Sequence, residues 1–268
     1  MGSGNSTNSW ICGTSLKKEN ERRGGFTAGG KISLTSPEKT GGAPIWGIID
    51  KRRSIRSFFP NKSLSLKQLS QLLWAAYGLT ESSLGENEQK KEGKFRAAPA
   101  AYGKYTISVF VFIGKKRVVD GENYIEDGVY YYNPNDHSLT LANKKSVEDI
   151  LACFPKEKYF VKDANIAILL AADKEKIKLL SDAEKELAEN KGHVYAYMDS
   201  GFISMNVCLA ATALDLSTVP IAKLIKEKGN NLFGIDEARK SDFEGCGICG
   251  SKFELVMILP VGFKGDVA

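Results

Sequence analysis

The chain has 268 residues, of which 43% are apolar and 26% charged, and its formal net charge at pH 7 is +5. This is the composition of an ordinary globular protein, long enough to bury a core without a disulfide framework. The positive surplus is modest and spread along the chain, so it fits an anionic cofactor or substrate and gives no basis for nucleic-acid binding.

The character of the chain changes near Pro44. Residues 1–43 are rich in Gly, Ser, Thr, Asn and Lys without a sustained apolar period, which indicates a flexible tail and an extended arm. We expect regular structure to begin at Pro44 and one domain to occupy 44–268. No apolar run approaches the roughly 20 residues that span a bilayer, and the start lacks an apolar signal-peptide core. We therefore expect no membrane span and, unless a signal peptide has been cleaved, a cytoplasmic protein.

Apolar periodicity and turn residues predict the elements of this domain. The clearest helix starts at Ser65, where Gln68 completes a capping box, and Gly78 provides its C-terminal stop. In chain order the pattern then predicts a strand at Thr106–Ile113, a β-hairpin of Gly128–Tyr132 and Leu139–Ala142, a short helix at Ser146–Cys153, a buried strand at Asn165–Ala172, a charged surface helix at 174–191, a helix at Val194–Leu214 and a strand at Phe253–Leu259. Strands and helices alternate without a regular βαβ repeat, which favours an α+β fold.

The helix at Val194–Leu214 is apolar nearly all round. Such a helix must be buried, either in a large core or across a subunit interface. Because a single small domain could hardly enclose it, this helix favours a dimer.

A basic segment follows a short helical stripe formed by Ile45, Trp46, Ile48 and Ile49. Lys51, Arg52, Arg53 and Arg56 place four cations next to the Ser54 hydroxyl. Such a set suits a phosphate monoester, because guanidinium groups form paired, charge-assisted hydrogen bonds and a hydroxyl satisfies a further oxygen. The alternative is a solvated helix end, where cations complement the helix dipole.

Two other segments invite a functional interpretation. Small residues around Pro99, within Arg96–Gly103, would let a planar ligand approach the backbone, although a plain loop explains them equally well.

Gly245–Gly250 satisfies G-x-G-x-x-G, but a strand follows instead of a helix, which argues against a dinucleotide fingerprint. Cys246 and Cys249 in that stretch form C-x-x-C, for which a structural or incidental role is favoured over a redox role. No second ligand pair completes a zinc site, so no metal is predicted.

The order of motifs along the chain resembles that of the nitroreductase family. The similar segments are 52–58 (RRSIRSF) to the opening R-x-S-x-R-x-F, 69–78 (LSQLLWAAYG) to the helix L-x-x-L-L-W-A-A-x-G, 96–101 (RAAPAA) to R-x-x-P-S-A, 201–206 (GFISMN) to the G-x-x-x-Q-N start of the central helix, 216–221 to the loop after it, and 260–262 to the closing strand. The resemblance covers about Ile45–Gly262. It is strongest to the subgroup related to the azoline dehydrogenases of modified-peptide biosynthesis.

This resemblance implies an intertwined homodimer, with a mixed, largely antiparallel sheet flanked by helices in each subunit and two FMN sites at the interface. In the family the opening segment binds the phosphate, the Pro-Ser-Ala segment approaches the ring from the other subunit, and the loop after the central helix lies near the flavin N5 edge. The residues implied to contact FMN are, in the same order, Arg52, Arg53, Ser54 and Arg56; Pro99, Ala100 and Ala101; and Pro220, Ile221, Ala222 and Lys223.

The chain departs from the family pattern at four places, one of which is the C-x-x-C of Cys246 and Cys249 before the last strand. Ala100 stands where the usual serine would supply a hydroxyl donor near the flavin. Ala222 and Lys223 stand where many members have Glu-Gly, and Lys264 is the nearest equivalent of a C-terminal basic pair that some members add to the phosphate site. These differences bear on the substrate and redox partner more than on FMN binding.

The expected function is that of an FMN enzyme that takes a hydride from NAD(P)H and passes it to a small organic acceptor such as a nitroaromatic or a quinone. Because the flavin carries this chemistry, we assign no protein acid or base, and Tyr102, Lys104 and Lys223 are candidates for lining the site. One alternative is a dehydrogenase of a peptide azoline or another organic substrate, with O2 reoxidising the flavin. The other is a non-catalytic flavin-binding protein.

Overall fold

The structure is a computed structural model that describes residues 26–27, 31–80, 95–154, 159–183, 191–233 and 253–265. Its strands are β1 (Phe26–Thr27), β2 (Lys31–Ser33), β3 (Leu64–Ser65), β4 (Ile107–Ile113), β5 (Val118–Asp120), β6 (Asn123–Tyr124), β7 (Gly128–Asn133), β8 (Ser138–Asn143), β9 (Ile166–Asp173), β10 (Leu216–Thr218) and β11 (Phe253–Phe263). Its α-helices are α1 (Ile45–Lys51), α2 (Leu66–Tyr77), α3 (Val147–Leu151), α4 (Lys174–Ala183), α5 (Lys191–Ala213) and α6 (Lys226–Asn230).

Eight strands form one sheet in the order β1-β2-β8-β7-β4-β9-β11-β10, and every neighbouring pair is antiparallel. A second sheet has the order β3-β5-β6. The central strands of the large sheet are buried on both faces, so their sequences are uninterrupted apolar runs. In β4, for example, Val109 and Val111 face a core shared with α2 and α5, while Phe110 and Phe112 face a core shared with α3. The predicted α+β fold with a largely antiparallel sheet is confirmed.

Helix α2 is capped as predicted at its start. The Ser65 hydroxyl accepts a hydrogen bond from the Gln68 N–H at 3.2 Å, and the Gln68 side chain accepts one from the Ser65 N–H at 3.0 Å. Gly78 ends the helix, but its φ of −68° is not left-handed. Glycine is required there for another reason, because a Cβ would collide with the ring and backbone of Trp74.

The predicted start of regular structure needs correction, and one small sheet was not predicted at all. Regular structure begins before Pro44, because β2 pairs with β8 and buries Ile32, and the Leu34 N–H donates to the His137 carbonyl at 3.1 Å. The small sheet was not predicted, since strands of two or three residues are too short to show a period. Residues 1–25 and 28–30 lie outside the described ranges, so the mobility of the tail stays a prediction.

Helix α5 confirms the predicted long apolar helix, but its burial within one chain is incomplete. Residues such as Ile203 and Val207 are fully buried against the sheet, whereas Met198 and Phe202 expose 53% and 44% of their surface. Met205, one further turn along the same flank, is exposed in the same way. The single chain therefore covers only part of this helix.

Candidate functional site

The basic segment lies at the β10 edge of the large sheet. Helix α1 ends at Lys51, and the Arg52 N–H still donates to the Ile48 carbonyl at 2.9 Å before the chain becomes extended. Ser54 then forms a parallel bridge with Thr218 of β10, and the Ile55 N–H donates to the Thr218 carbonyl at 3.2 Å. The segment thereby continues the sheet and is held by backbone hydrogen bonds rather than by its charged side chains.

The cations of this segment point in two directions. Arg52 and Arg56 both turn towards Ser54, since Arg52 Nη1 lies 3.5 Å from the Ser54 hydroxyl and Arg56 Nη1 lies 3.5 Å from the Ser54 carbonyl oxygen. Arg53 turns back and donates to the carbonyls of Asp50 and Arg52, at 2.7 and 2.8 Å. The structure therefore groups Arg52, Ser54 and Arg56, while Arg53 stabilises the end of α1.

The grouped donors fit a phosphate. Within the described ranges no carboxylate forms an ion pair with Arg52 or Arg56, so their charge is available to an anionic ligand. Arg52 also lies within electrostatic reach of α5: burial raises the pKa of the Cys208 thiol, and the Arg52 guanidinium opposes that rise. Two guanidinium groups and a hydroxyl on a sheet edge form the donor set that a phosphate monoester requires.

The loop after α5 runs beside the basic segment. β10 pairs with the last residues of β11, and Ile221 exchanges two backbone hydrogen bonds with Ile258, at 2.9 and 3.0 Å. Pro220 is half-buried, and Ala222 and Lys223 are exposed. The predicted phosphate-binding segment and the predicted N5-edge loop thus belong to the same edge of one subunit.

The end of β11 adds a further cation to this edge. Lys264 is exposed and forms an antiparallel bridge with Phe58, and the Gly265 N–H donates to the Ser57 carbonyl at 3.1 Å. A Cβ at Gly265 would collide with the Ser57 side chain and the Phe58 backbone, so glycine is needed for this close approach. Lys264 therefore lies opposite Phe58, which is two residues after Arg56 in the opening segment.

The segment around Pro99 is held elsewhere, on α2 and α5. The Ala97 N–H donates to the Gly78 carbonyl at 2.9 Å, and the Asn206 side-chain amide donates to the Ala97 carbonyl at 3.1 Å. The Asp199 carboxylate accepts from the Ala101 N–H at 3.1 Å. These contacts fix the segment to Gly78 and to α5, whereas the basic segment is fixed to β10.

An open, mostly apolar groove of about 310 Å³ lies between α1, α2 and α5. It is lined by Ala43, Ile45, Ile48, Trp74, Ala75, Ala97, Asn206, Leu209, Ala210 and Ala213. Ala97 connects the groove to the Pro99 segment, and α1 connects it to the basic segment. Of the predicted site residues none lines it directly, so the groove is an adjoining surface.

Three residues near the candidate site were missed by sequence reasoning. Asp199 and Asn206 are polar residues in an apolar helix; Asn206 also ends the segment 201–206 compared with the family motif, but neither residue was predicted to hold the Pro99 segment. The third is Thr218, whose buried hydroxyl has no hydrogen-bond partner within the described residues.

Cys246 and Cys249 lie outside the described ranges. Across those ranges, every helix falls short of the length or apolar content that a bilayer-spanning segment requires.

Comparison with known proteins places these features in one family. The model of the nitroreductase family matches residues 49–250. A nitroreductase-like protein of Methanocaldococcus jannaschii, MJ1384, is 30% identical over 190 residues, which cover 71% of this chain and 84% of the relative. A nitroreductase-like crystal structure from Ralstonia eutropha superposes with a TM-score of 0.64 at 23% identity, over 92% of this chain and 95% of the other.

The fold also extends to a biosynthetic complex. A chain of the Escherichia coli microcin synthetase McbBCD, solved with truncated pro-MccB17 bound, superposes with a TM-score of 0.56 at 16% identity, over 96% of this chain and 85% of the other. The sequence matches and the shared fold lead to the same assignment. The chain is an oxidoreductase that belongs to the nitroreductase family.

Proposed function

We propose that this protein is an FMN-dependent oxidoreductase that passes a hydride from NAD(P)H to a small organic acceptor such as a nitroaromatic or a quinone. The observation that carries the proposal is the convergence of Arg52 and Arg56 on Ser54, without a described carboxylate partner, at the edge that also carries the loop after α5. FMN, when bound, supplies the hydride-transfer chemistry, and the protein supplies binding, orientation and access.

The roles of the residues follow from their positions. Arg52, Ser54 and Arg56 would hold the phosphate, with Lys264 as a further cation on the neighbouring chain. Residues Pro220 to Lys223 would border the ring, where Ala222 lacks the acidic side chain of many members and the exposed Lys223 adds a positive charge. Because that charge faces solvent beside the ring, we expect it to favour acceptors that carry or develop negative charge.

A homodimer would complete the site. Trp46 on α1 exposes 79% of its surface, and α1 packs on α5, the helix that exposes Met198 and Phe202. Apolar side chains concentrated on two adjacent helices are typical of a subunit interface rather than of a solvated surface. In such a dimer Pro99, Ala100 and Ala101 of one subunit would approach the ring bound by the other.

A second candidate is a flavin-dependent dehydrogenase that oxidises a peptide azoline or another organic substrate. It is favoured by the motif resemblance to the azoline dehydrogenase subgroup and by the shared fold with a microcin synthetase chain. The two candidates differ in what reduces the flavin, which is NAD(P)H in the first and the organic substrate in the second.

The purified protein provides a direct test. Its visible spectrum should contain flavin bands, and mass spectrometry of the released chromophore should identify FMN. Anaerobic addition of NADH or NADPH should then bleach the flavin, and a quinone or nitroaromatic should restore it. Bleaching by an azoline peptide but not by NAD(P)H would favour the dehydrogenase. A protein that stays colourless after incubation with FMN would contradict both candidates.

A further inference from the structure

We propose that Asp199 is a positioning residue that fixes the Pro99–Ala101 segment for contact with the flavin ring. The inference rests on the proposed FMN function and adds a residue that lies outside the motifs on which that function was based. It begins from the hydrogen bond between the Asp199 carboxylate and the Ala101 N–H, at 3.1 Å.

Two side chains of α5 hold the two ends of the segment. Asn206 binds the Ala97 carbonyl and Asp199 binds the Ala101 N–H. Residues seven apart lie on nearly the same face of a helix and about 10 Å apart along its axis, a distance that matches an extended stretch of a few residues. Between the two anchors, Pro99 is exposed and Ala100 half-buried, so the middle of the segment is free to meet a ligand.

The backbone immediately after Ala101 is strained. Tyr102, Gly103 and Tyr105 all have positive φ, at 51°, 65° and 47°, which is uncommon for residues other than glycine. Such a conformation persists only where the surroundings over-determine it. Asp199 accepts its hydrogen bond from the N–H of Ala101, directly before these residues. The Gly103 N–H then closes a turn on the Ala100 carbonyl at 3.0 Å.

Burying the Asp199 carboxylate in a packed helix carries a desolvation penalty. The residue is only 3% exposed, no described cation pairs with it, and burial raises its pKa while the Ala101 N–H opposes the rise. An apolar side chain of similar volume would pack there without the desolvation penalty of a carboxylate. What the carboxylate adds is a strong acceptor for the Ala101 N–H.

The test compares three variants by titrating apoprotein with FMN and with riboflavin, which lacks the phosphate, while following flavin fluorescence. Asp199→Ala should weaken the binding of both flavins by the same factor of about ten or more, which corresponds to about 1.4 kcal/mol. Asp199→Asn, whose amide oxygen can still accept from Ala101, should stay within about threefold of wild type. Ser204→Ala is the matched control, because Ser204 is buried one turn along α5 and bonds to Ser200 and Met257 instead.

Several outcomes would overturn the positioning role. These are equal flavin affinities for Asp199→Ala and wild type, an Asp199→Asn protein as weak as Asp199→Ala, or a loss confined to FMN. Should Asp199→Ala not fold, Asp199→Val fills the volume without an acceptor and must show the same loss for both flavins. A wild-type protein that binds neither flavin would instead refute the proposed function itself.

Discussion

Replacing Arg56 by alanine tests the phosphate anchor most directly. In the structure its guanidinium turns towards Ser54 and meets no described carboxylate, so its loss leaves no buried partner unpaired and should not harm folding. A charge-assisted hydrogen bond contributes about 1.5–3 kcal/mol. Because Arg56 is exposed and water screens its charge, we take the lower end of that range. The dissociation constant of FMN should then rise about tenfold.

The structure provides matched controls for this variant. Arg52→Ala should have a larger effect, up to about a hundredfold, because Arg52 is half-buried against α5 and is less screened. Arg53→Ala should change the FMN dissociation constant by less than about threefold, since the Arg53 guanidinium is occupied by the carbonyls of Asp50 and Arg52. None of the three changes should affect riboflavin, which has no phosphate.

Fluorescence titration of apoprotein at two salt concentrations would measure these effects. The FMN affinity of wild type should fall as salt is raised, and that dependence should be weaker in Arg56→Ala. The reasoning would be refuted if Arg53→Ala weakened FMN binding as much as Arg56→Ala. It would equally be refuted if riboflavin and FMN lost the same affinity in Arg56→Ala, because the arginine would then not act on the phosphate.

Three further predictions concern stability and assembly. Phe202→Glu should convert a dimer into monomers in sedimentation velocity, because a charge would replace an exposed apolar side chain at the proposed interface; an unchanged sedimentation coefficient would contradict that interface. Gly78→Ala should cost about 1–3 kcal/mol in urea unfolding, because its Cβ would collide with Trp74, whereas Gly47→Ala, with open space around it inside α1, should be neutral or stabilising. His137 is partly buried and hydrogen-bonded, and burial lowers its pKa. The folded state therefore loses stability as pH falls from about 6.5 through the lowered pKa, and His137→Gln should flatten that dependence; an equal slope in both proteins would exclude His137 as its source.

The strands and capped helices could be predicted because their signals are local. β4 and β9 are buried on both faces, so most residues of each strand are apolar. The capping boxes at Ser65 and Ser146 each lie within four residues of sequence. β2 and β3 were missed because their partners lie far along the chain, and β5 and β6 because they are only two or three residues long. β2 pairs with β8 more than a hundred residues later, and two or three residues carry no period that could reveal such a pairing.

The candidate site was predictable only in part for the same reason. The order of motifs indicated the basic segment, but it could not distinguish Arg53 from Arg52 and Arg56. That distinction depends on which guanidinium meets the free carbonyls at the end of α1. Asp199 had no motif at all, because its role arises from a contact between residues 98 positions apart. Backbone-directed hydrogen bonds of this kind depend on tertiary placement rather than on residue pattern.

Helix α5 connects the proposed interface to the proposed cofactor site. Met198 and Met205 lie on its exposed flank, and the next residues in sequence, Asp199 and Asn206, hold the Pro99 segment. A subunit that packs against the exposed flank would therefore also fix the neighbouring side chains of Asp199 and Asn206. Phe202 is 44% exposed, and Phe202→Glu should weaken the binding of both FMN and riboflavin as the dimer dissociates, while raising the protein concentration should restore it. Flavin affinity independent of protein concentration in that variant would show that each subunit binds its cofactor alone.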